Sequence, residues 1–362
     1  MSSNFYVLIL AGGKGTRLWP KSKKTFPKHI LSLHSRYSLL EETYRRVKGF
    51  VPGDNIFVIT LKKQAKTIKR QLPFLDKENL IIEPEGKDTL PSILLGTIII
   101  KKKDPHAIVC VLPSDHVIKP RKKFLKILMQ AKKSLKFADN ILTIGVKPTY
   151  PATEYGYIKI SSTVKDRKSG FYKVDRFVEK PSLIKAKVFF RDKSFFWNAG
   201  IFIFRADKIM KETEKFYPRL YKDFMHLIRV ERKKEFNLTL KRIYAKISST
   251  SIDKAIMEKS GSLNMLKANF LWFDLGNWET LANILRRDIN NNVGAGERFL
   301  YKTNNSIVIN EEKRHLIVTL GLDNMIVVHT PQASLICPKS QTKELKNLVN
   351  LLEQRKIFRR YL

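Results

Sequence analysis

Cysteine is nearly absent from the 362 residues: Cys110 and Cys337 are the only two. Two thiols make neither a disulfide framework nor a four-ligand zinc centre built of cysteine alone. Each lies in an apolar run and reads as a buried thiol in a reducing compartment. Acidic residues are scarce, 33 Asp and Glu against 69 Lys and Arg, which leaves a formal net charge of +36. Long hydrophobic runs are missing as well. The apolar stretch 7–11 flows straight into a glycine turn and is too short for the h-region of a signal peptide. The stretch 93–100 ends in three lysines, far short of the ~20 residues that cross a bilayer. A cytoplasmic chain with no membrane segment is therefore expected. The basic surplus attracts polyanions without requiring a specific site. Because the cations are scattered, with only short clusters such as Lys101-Lys102-Lys103, the charge reads as a lysine-rich solvated surface with no specific nucleic-acid site. A nucleic-acid-binding or regulatory protein is the alternative from a different class.

What is present supports a folded chain. A hydrophobic share of 43% with 10% aromatics is ordinary for a globular protein, and the length allows about two domains. Over the first 150 residues short apolar runs at 6–11, 55–60, 80–82, 107–112 and 141–146 alternate with helical patterns at 39–47, 63–72 and 124–137. That alternation predicts βα units around a mostly parallel sheet, with loops at the carboxyl ends of strands as the default ligand site. From about 155 to 204 strands follow one another with little helix between them, and helical stretches are predicted at 208–231 and 253–260. The run Asn290-Asn291-Asn292-Val293-Gly294-Ala295-Gly296 is the clearest boundary in the chain. Short β-runs at 306–310, 316–320, 325–329 and 334–337 follow it, and a final helix carries Leu345, Leu348, Val349, Leu352 and Ile357.

The strongest local feature is Ala11-Gly12-Gly13-Lys14-Gly15-Thr16-Arg17-Leu18-Trp19-Pro20, directly after an apolar strand. Glycines there let a backbone approach a polyphosphate and surround it with N–H donors, and Lys14 and Arg17 add charge. No Gly-Lys-Ser/Thr closes it as in a P-loop, and Leu18 stands where a dinucleotide fingerprint has its third glycine. Taken alone, the loop also reads as a structural strand-to-loop turn.

Residues further along extend the pattern to Gly-Gly-x-Gly-Thr-Arg-Leu-Trp-Pro-x-Ser-x4-Pro-Lys. Glu83-Pro84, Lys87-Asp88-Thr89-Leu90-Pro91, Leu112-Pro113-Ser114-Asp115-His116, Tyr155-Gly156-Tyr157 and Phe177-Val178-Glu179-Lys180-Pro181 follow in order. Trp197-Asn198-Ala199-Gly200, Ser251-Ile252-Asp253-Lys254 and Trp272-Phe273-Asp274-Leu275-Gly276 complete the series. Together they resemble the sugar-1-phosphate nucleotidyltransferases over nearly the whole chain, and the Leu-Trp-Pro form is similar to the mannose-1-phosphate guanylyltransferase branch.

The resemblance implies an α/β fold: a Rossmann-like, glycosyltransferase-A-like mixed sheet flanked by helices. Residues 1–289 would form the catalytic domain and 297–362 a small β-rich, β-helix-like C-terminal cap with a terminal helix, which can take part in homodimer contacts. Bifunctional relatives carry an added cupin domain that 297–362 cannot hold, so a monofunctional chain is expected. The implied substrates are GTP and mannose 1-phosphate, with Mg2+ as cofactor. Ala11, Gly12, Gly13, Lys14, Gly15, Thr16 and Arg17 match the triphosphate loop, and Arg17 and Lys28 the catalytic cations. Asp88 and Thr89 match positions around the base, and Asp115 and Asp274 the metal ligands. Gly156, Glu179, Lys180, Asn198 and Asp253 match the sugar-phosphate site, although Asp253 also reads as a helix N-cap after Ser251.

Four residues depart from the family pattern. Asp88 stands where Asn is usual, Leu90 where a small residue is, His29 follows Lys28 in place of Gln, and Glu154 replaces a glycine before Tyr155-Gly156-Tyr157. Asp88 and Glu154 keep another hexose 1-phosphate or another NTP open as substrates. Glu154 is expected either to shift sugar selectivity or to point to solvent. His116 beside Asp115 has no partner at zinc spacing in the sequence.

Overall fold

The computed structural model describes residues 4–13, 15–23, 26–136, 139–166 and 170–362, and of 162–166 the backbone alone. Packing divides the chain into two compact units that interleave in sequence. One comprises the chain up to Gly12, Thr43–Ser114 and Ile118–Trp272; the other comprises Gly13–Glu42, Asp115–Val117 and Phe273–Leu362.

The first ten strands in chain order are β1 (Phe5–Ala11), β2 (Ile56–Leu61), β3 (Leu80–Glu83), β4 (Ile108–Pro113), β5 (His116–Lys119), β6 (Ile141–Val146), β7 (Tyr157–Asp166), β8 (Phe171–Val178), β9 (Phe195–Arg205) and β10 (Leu263–Lys267). All but β5 join one mixed sheet of the first unit, in the order β3-β2-β1-β4-β9-β6-β10-β8-β7. Its β3-β2-β1-β4 part is parallel, with Val7 opposite both Ile56 and Cys110. Beyond it β9 runs antiparallel to both β4 and β6. Phe5, Val7, Leu8 and Ile9 of β1 are wholly buried, as a parallel strand covered on both faces requires.

The helices are α1 (Leu39–Val47), α2 (Lys62–Gln71), α3 (Thr89–Lys103), α4 (Arg121–Ser134), α5 (Leu183–Arg191), α6 (Ala206–Phe216), α7 (Pro218–Arg229) and α8 (Lys233–Lys246). The apolar stretch 93–100, too short to span a bilayer, is the interior of α3. That helix buries Leu90, Ile93, Leu94, Leu95, Ile98 and Ile100. Gly96 permits its close approach, since a Cβ there would overlap the methyls of Leu8 on β1. The predicted helix 124–137 begins three residues earlier, and its predicted end at Phe137 lies outside the described residues. The stretch expected as one helix at 208–231 is two, α6 and α7, broken where Pro218 opens the second.

The second unit has its own core. Leu18, Trp19, Leu31 and Leu33 pack in one cluster with Leu275, Trp278, Ile307, Ile326, Val328 and Leu345. Its C-terminal part contains β12 (Val293–Ala295), β13 (Arg298–Tyr301), β14 (Ile307–Asn310), β15 (Ile317–Leu320), β16 (Met325–Thr330) and β17 (Ala333–Pro338), after β11 (Leu271–Asp274) and α9 (Trp278–Ala282). β12, β14 and β16 stack in parallel register, Val293 on Ile307 and Ile307 on Ile326, and β17 closes that sheet antiparallel. β13 and β15 pair separately in parallel. This winding is the β-rich cap expected from the sequence. The terminal helix α10 (Leu345–Gln354) buries Leu345 and Val349, whereas Ile357 lies beyond it in a 3-10 turn and is 69% exposed. No helix among the described residues is long and apolar enough to cross a membrane.

Candidate active site

The functional residues named from the sequence form two groups, one in each unit. In the first unit β1 ends at Ala11, whose carbonyl accepts a hydrogen bond from Thr60 Oγ1 at 2.8 Å, and Gly12 is exposed beyond it. In the second unit Gly13 follows with φ +103°. Lys14 lies outside the described residues. Gly15 is required twice: its φ is +62°, and a Cβ on it would lie 2.7 Å from the backbone N of Lys28. Thr16, Arg17 and Leu18 then make a single 3-10 turn. Ser22 donates its hydroxyl to the Gly15 carbonyl and its N–H to Leu18, so the turn is closed by its own sequence. Arg17 is exposed, and a Cβ on Gly276 would lie 3.9 Å from its Nη1, which sets the guanidinium beside the Asp274–Gly276 turn.

Lys28 Nζ lies 2.7 Å from Asp115 Oδ2 and 2.9 Å from Asp274 Oδ1. Burial alone would lower its pKa, but the two carboxylates outweigh burial and hold the ammonium charged. Burial likewise opposes ionisation of Asp115, yet the adjacent Lys28 keeps its carboxyl well below the usual carboxylate range. Asp115, His116 and Asp274 offer ligand atoms that all lie within 4.8 Å of one another. Two carboxylates already gathered around a cation suit a hard divalent ion, which prefers oxygen donors. His116, set aside in the sequence for want of a spaced partner, is brought to the group by the fold; no spacing rule reveals it. His29 is nearly dry. Burial, with help from Lys28 against Asp115, lowers it to about 4, so the ring is neutral, and its Nε2 has no partner among the described residues.

In the first unit Asp88 and Thr89 open α3. Asp88 holds φ +67°, unusual for a residue with a side chain, and its Oδ1 accepts the Thr89 N–H at 2.7 Å. Thr89 Oγ1 accepts the N–H of Ile252 at 2.9 Å, while Leu90 N donates to Thr250 O and Thr250 N to Lys87 O. The segment expected around the base is thus stitched to the one that carries Asp253.

The sugar group is tightly cross-linked. Asn198 Oδ1 accepts from Thr143 Oγ1 at 2.9 Å and from Gly200 N at 3.1 Å, and its Nδ2 donates to Asp253 Oδ1 at 3.0 Å. Its backbone N–H donates to Gly156 O at 2.8 Å. Lys180, at φ +46°, reaches Glu179 Oε1 at 2.8 Å, and Glu258 accepts the Glu179 N–H at 2.8 Å. Burial and then the Glu179 charge push the Asp253 carboxyl up to about 7. The N-cap alternative for Asp253 fails because Ser251 Oγ accepts the Lys254 N–H, leaving the Asp253 carboxylate to Asn198. Glu154 is half-buried. It accepts the Tyr150 hydroxyl at 2.8 Å and the Thr153 N–H at 3.1 Å, and the Tyr150 ring packs edge-on to Trp197.

Comparison with known proteins matches residues 6–291 to the nucleotidyl transferase family and 296–352 to the MannoseP isomerase/GMP-like beta-helix domain. A mannose-1-phosphate guanylyltransferase of Escherichia coli is 31% identical over 363 residues, spanning 98% of this chain and 76% of that protein. The alginate biosynthesis protein AlgA of Pseudomonas fluorescens is 32% identical across 95% of this chain and 71% of its own length. A crystal structure from Thermus thermophilus, described as a mannose-1-phosphate geranyltransferase, is similar with a TM-score of 0.86 at 29% identity, covering 97% of this chain and 99% of that one. The chain belongs to the nucleotidyl transferase family, in its mannose-1-phosphate guanylyltransferase branch.

Proposed function

We propose that this enzyme transfers GMP from GTP to α-D-mannose 1-phosphate with Mg2+, releasing pyrophosphate and giving GDP-mannose. The observation that carries the reading is Lys28 held between Asp115 and Asp274 behind the glycine loop. The attacking sugar-phosphate oxygen is already anionic, so the chemistry requires no general base. It requires alignment and charge neutralisation along the phosphates.

Gly12, Gly13 and Gly15 let the backbone N–H groups of their loop approach the triphosphate, with Thr16 closing the turn, while Lys14 and Arg17 hold the β- and γ-phosphates that leave as pyrophosphate. Lys28 faces the α-phosphate, where charge shifts in the transition state. Asp115 and Asp274 hold the metal, with His116 beside them; when bound, the ion neutralises phosphate charge as a Lewis acid. Asp88 and Thr89 shape the base side. Gly156, Glu179, Asn198 and Asp253 receive the hexose hydroxyls, and Lys180 the sugar phosphate.

The catalytic portion runs over 1–289 and the cap over 297–362. A cytoplasmic setting accords with Cys110 and Cys337 both being unpaired thiols. A homodimer is supported by Phe299, Tyr301, Val318 and Leu320, exposed on β13 and β15 as an apolar row; light scattering that returned the monomer mass would remove it.

The test crosses four NTPs against mannose, glucose and N-acetylglucosamine 1-phosphates and reads pyrophosphate release, with Asp115→Ala alongside. Release confined to GTP with mannose 1-phosphate supports the pair. Release with another pair keeps the mechanism and overturns the substrates.

A further inference from the structure

The part of the glycine loop that lies in the second unit, from Gly13 on, does not stand alone there. Glycines at 12, 13 and 15 leave its backbone with more conformational freedom than any other residue type would, so ordering it carries an entropic cost that must be met elsewhere. The residues just after it are tied at three points to the β-helical cap and the turn that follows it. Trp19 Nε1 donates to the carbonyl of Tyr361 at 3.0 Å. Lys21 pairs with Glu311, just after β14, and Lys23 donates to Gln332, in the turn between β16 and β17. Leu18 and Trp19 also share the core of Ile307, Ile326 and Val328.

The anchors are themselves fixed. Glu311 N donates to His329 O at 3.0 Å across the cap's sheet, and Thr330 Oγ1 donates to Ala333 O at 2.8 Å around the Gln332 turn. The Lys21–Glu311 pair is mostly shielded, its side chains 13% and 30% exposed. In a chain with 33 acidic residues against 69 basic ones, a carboxylate directed at the loop is a scarce resource.

We infer that the cap is a positioning element for nucleotide binding, with Glu311 and Gln332 as positioning residues that hold the triphosphate loop in its bound shape through Lys21 and Lys23. This rests on reading the glycine loop as the triphosphate site. The cap thereby contributes to nucleotide affinity within one chain, apart from any role in association. The residues of the sugar group all belong to the first unit.

The experiment measures GTP binding by calorimetry, KM for both substrates and the thermal midpoint for wild type, Glu311→Ala, Glu311→Ala/Gln332→Ala and the charge-reversed pair Lys21→Glu/Glu311→Lys. Glu311→Ala is expected to weaken GTP about fivefold, the equivalent of ~1 kcal/mol for such a pair, and the Ala double about tenfold. KM for mannose 1-phosphate and the midpoint stay near wild type, and the charge-reversed pair recovers most of the GTP affinity. GTP binding unchanged in the Ala double overturns the inference, as does a fall in the midpoint with no change in GTP affinity. Wild-type protein that binds no GTP overturns both the inference and the reading of the loop beneath it.

Discussion

Lys28 stands between Asp115 and Asp274, its Nζ 2.7 Å from one carboxylate and 2.9 Å from the other. Replacing it with Met leaves two carboxylates facing each other without a counter-charge, a change that costs about 3 kcal/mol of folding stability by the behaviour of broken buried pairs. A divalent ion neutralises the same two groups. Adding Mn2+ is therefore expected to raise the thermal midpoint of Lys28→Met more than that of wild type, while the variant loses about 100-fold or more in turnover. Equal midpoint shifts in the two proteins would show that ammonium and metal do not share a seat.

Burial and Glu179 push Asp253 up to about 7 from an ordinary 3.8. Between those values the folded chain keeps a proton that the unfolded chain has lost, so this group's contribution to stability falls as pH rises from about 4 to about 7. Asp253→Asn removes that titration. Urea midpoints from pH 4.5 to 8 are expected to decline for wild type relative to the variant; two parallel curves would refute the assignment.

A side chain at Gly156 would have to displace the Glu179 carboxylate. A Cβ there would lie 2.6 Å from Glu179 Oε2, and Glu179 cannot move freely because its other oxygen pairs with Lys180 at 2.8 Å. Gly156→Ala is expected to raise KM for the sugar phosphate about tenfold, a penalty of ~1.4 kcal/mol, with KM for the nucleotide unchanged. Steady-state kinetics on each substrate separates the two; a rise on the nucleotide side alone would place Gly156 elsewhere.

Glu154 accepts from Tyr150 and Thr153, and these bonds are expected to hold its carboxylate away from the choice of sugar. Glu154→Gln keeps an acceptor for the Tyr150 hydroxyl. The ratio of kcat/KM for mannose over glucose 1-phosphate is expected to change by less than about threefold, under ~0.7 kcal/mol. A tenfold change would return Glu154 to the substrate.

Much of the fold was legible because its signals are local. The unbroken apolar run of β1 and the 39–47 helix each show in a window of ten residues. Helix α3 did not, since Leu90, Ile93, Leu94 and Leu95 are all buried and a helix that is apolar all round shows no stripe. Strand β10 was missed for another reason: Leu263–Lys267 pairs in parallel with β6, far back in the chain, and a five-residue strand specified by so distant a neighbour leaves little trace in its own sequence. For the candidate site, motif order brought Lys28, Asp115 and Asp274 onto one short list, and the fold brings their charges together. The use of Thr89 Oγ1 by Ile252 and the meeting of Asp115 and His116 with Asp274 depend on segments that come together only after folding.

The chain is expected to join GTP to mannose 1-phosphate through the Lys28, Asp115 and Asp274 group. Phosphorus NMR of purified protein with both substrates and Mg2+ tests it most directly, by following every phosphorus at once. The account predicts GDP-mannose and pyrophosphate appearing in equal amounts as GTP disappears, with neither formed by Asp115→Ala or after chelation of the metal. Persistent GTP, or pyrophosphate appearing without a nucleotide sugar, would contradict it.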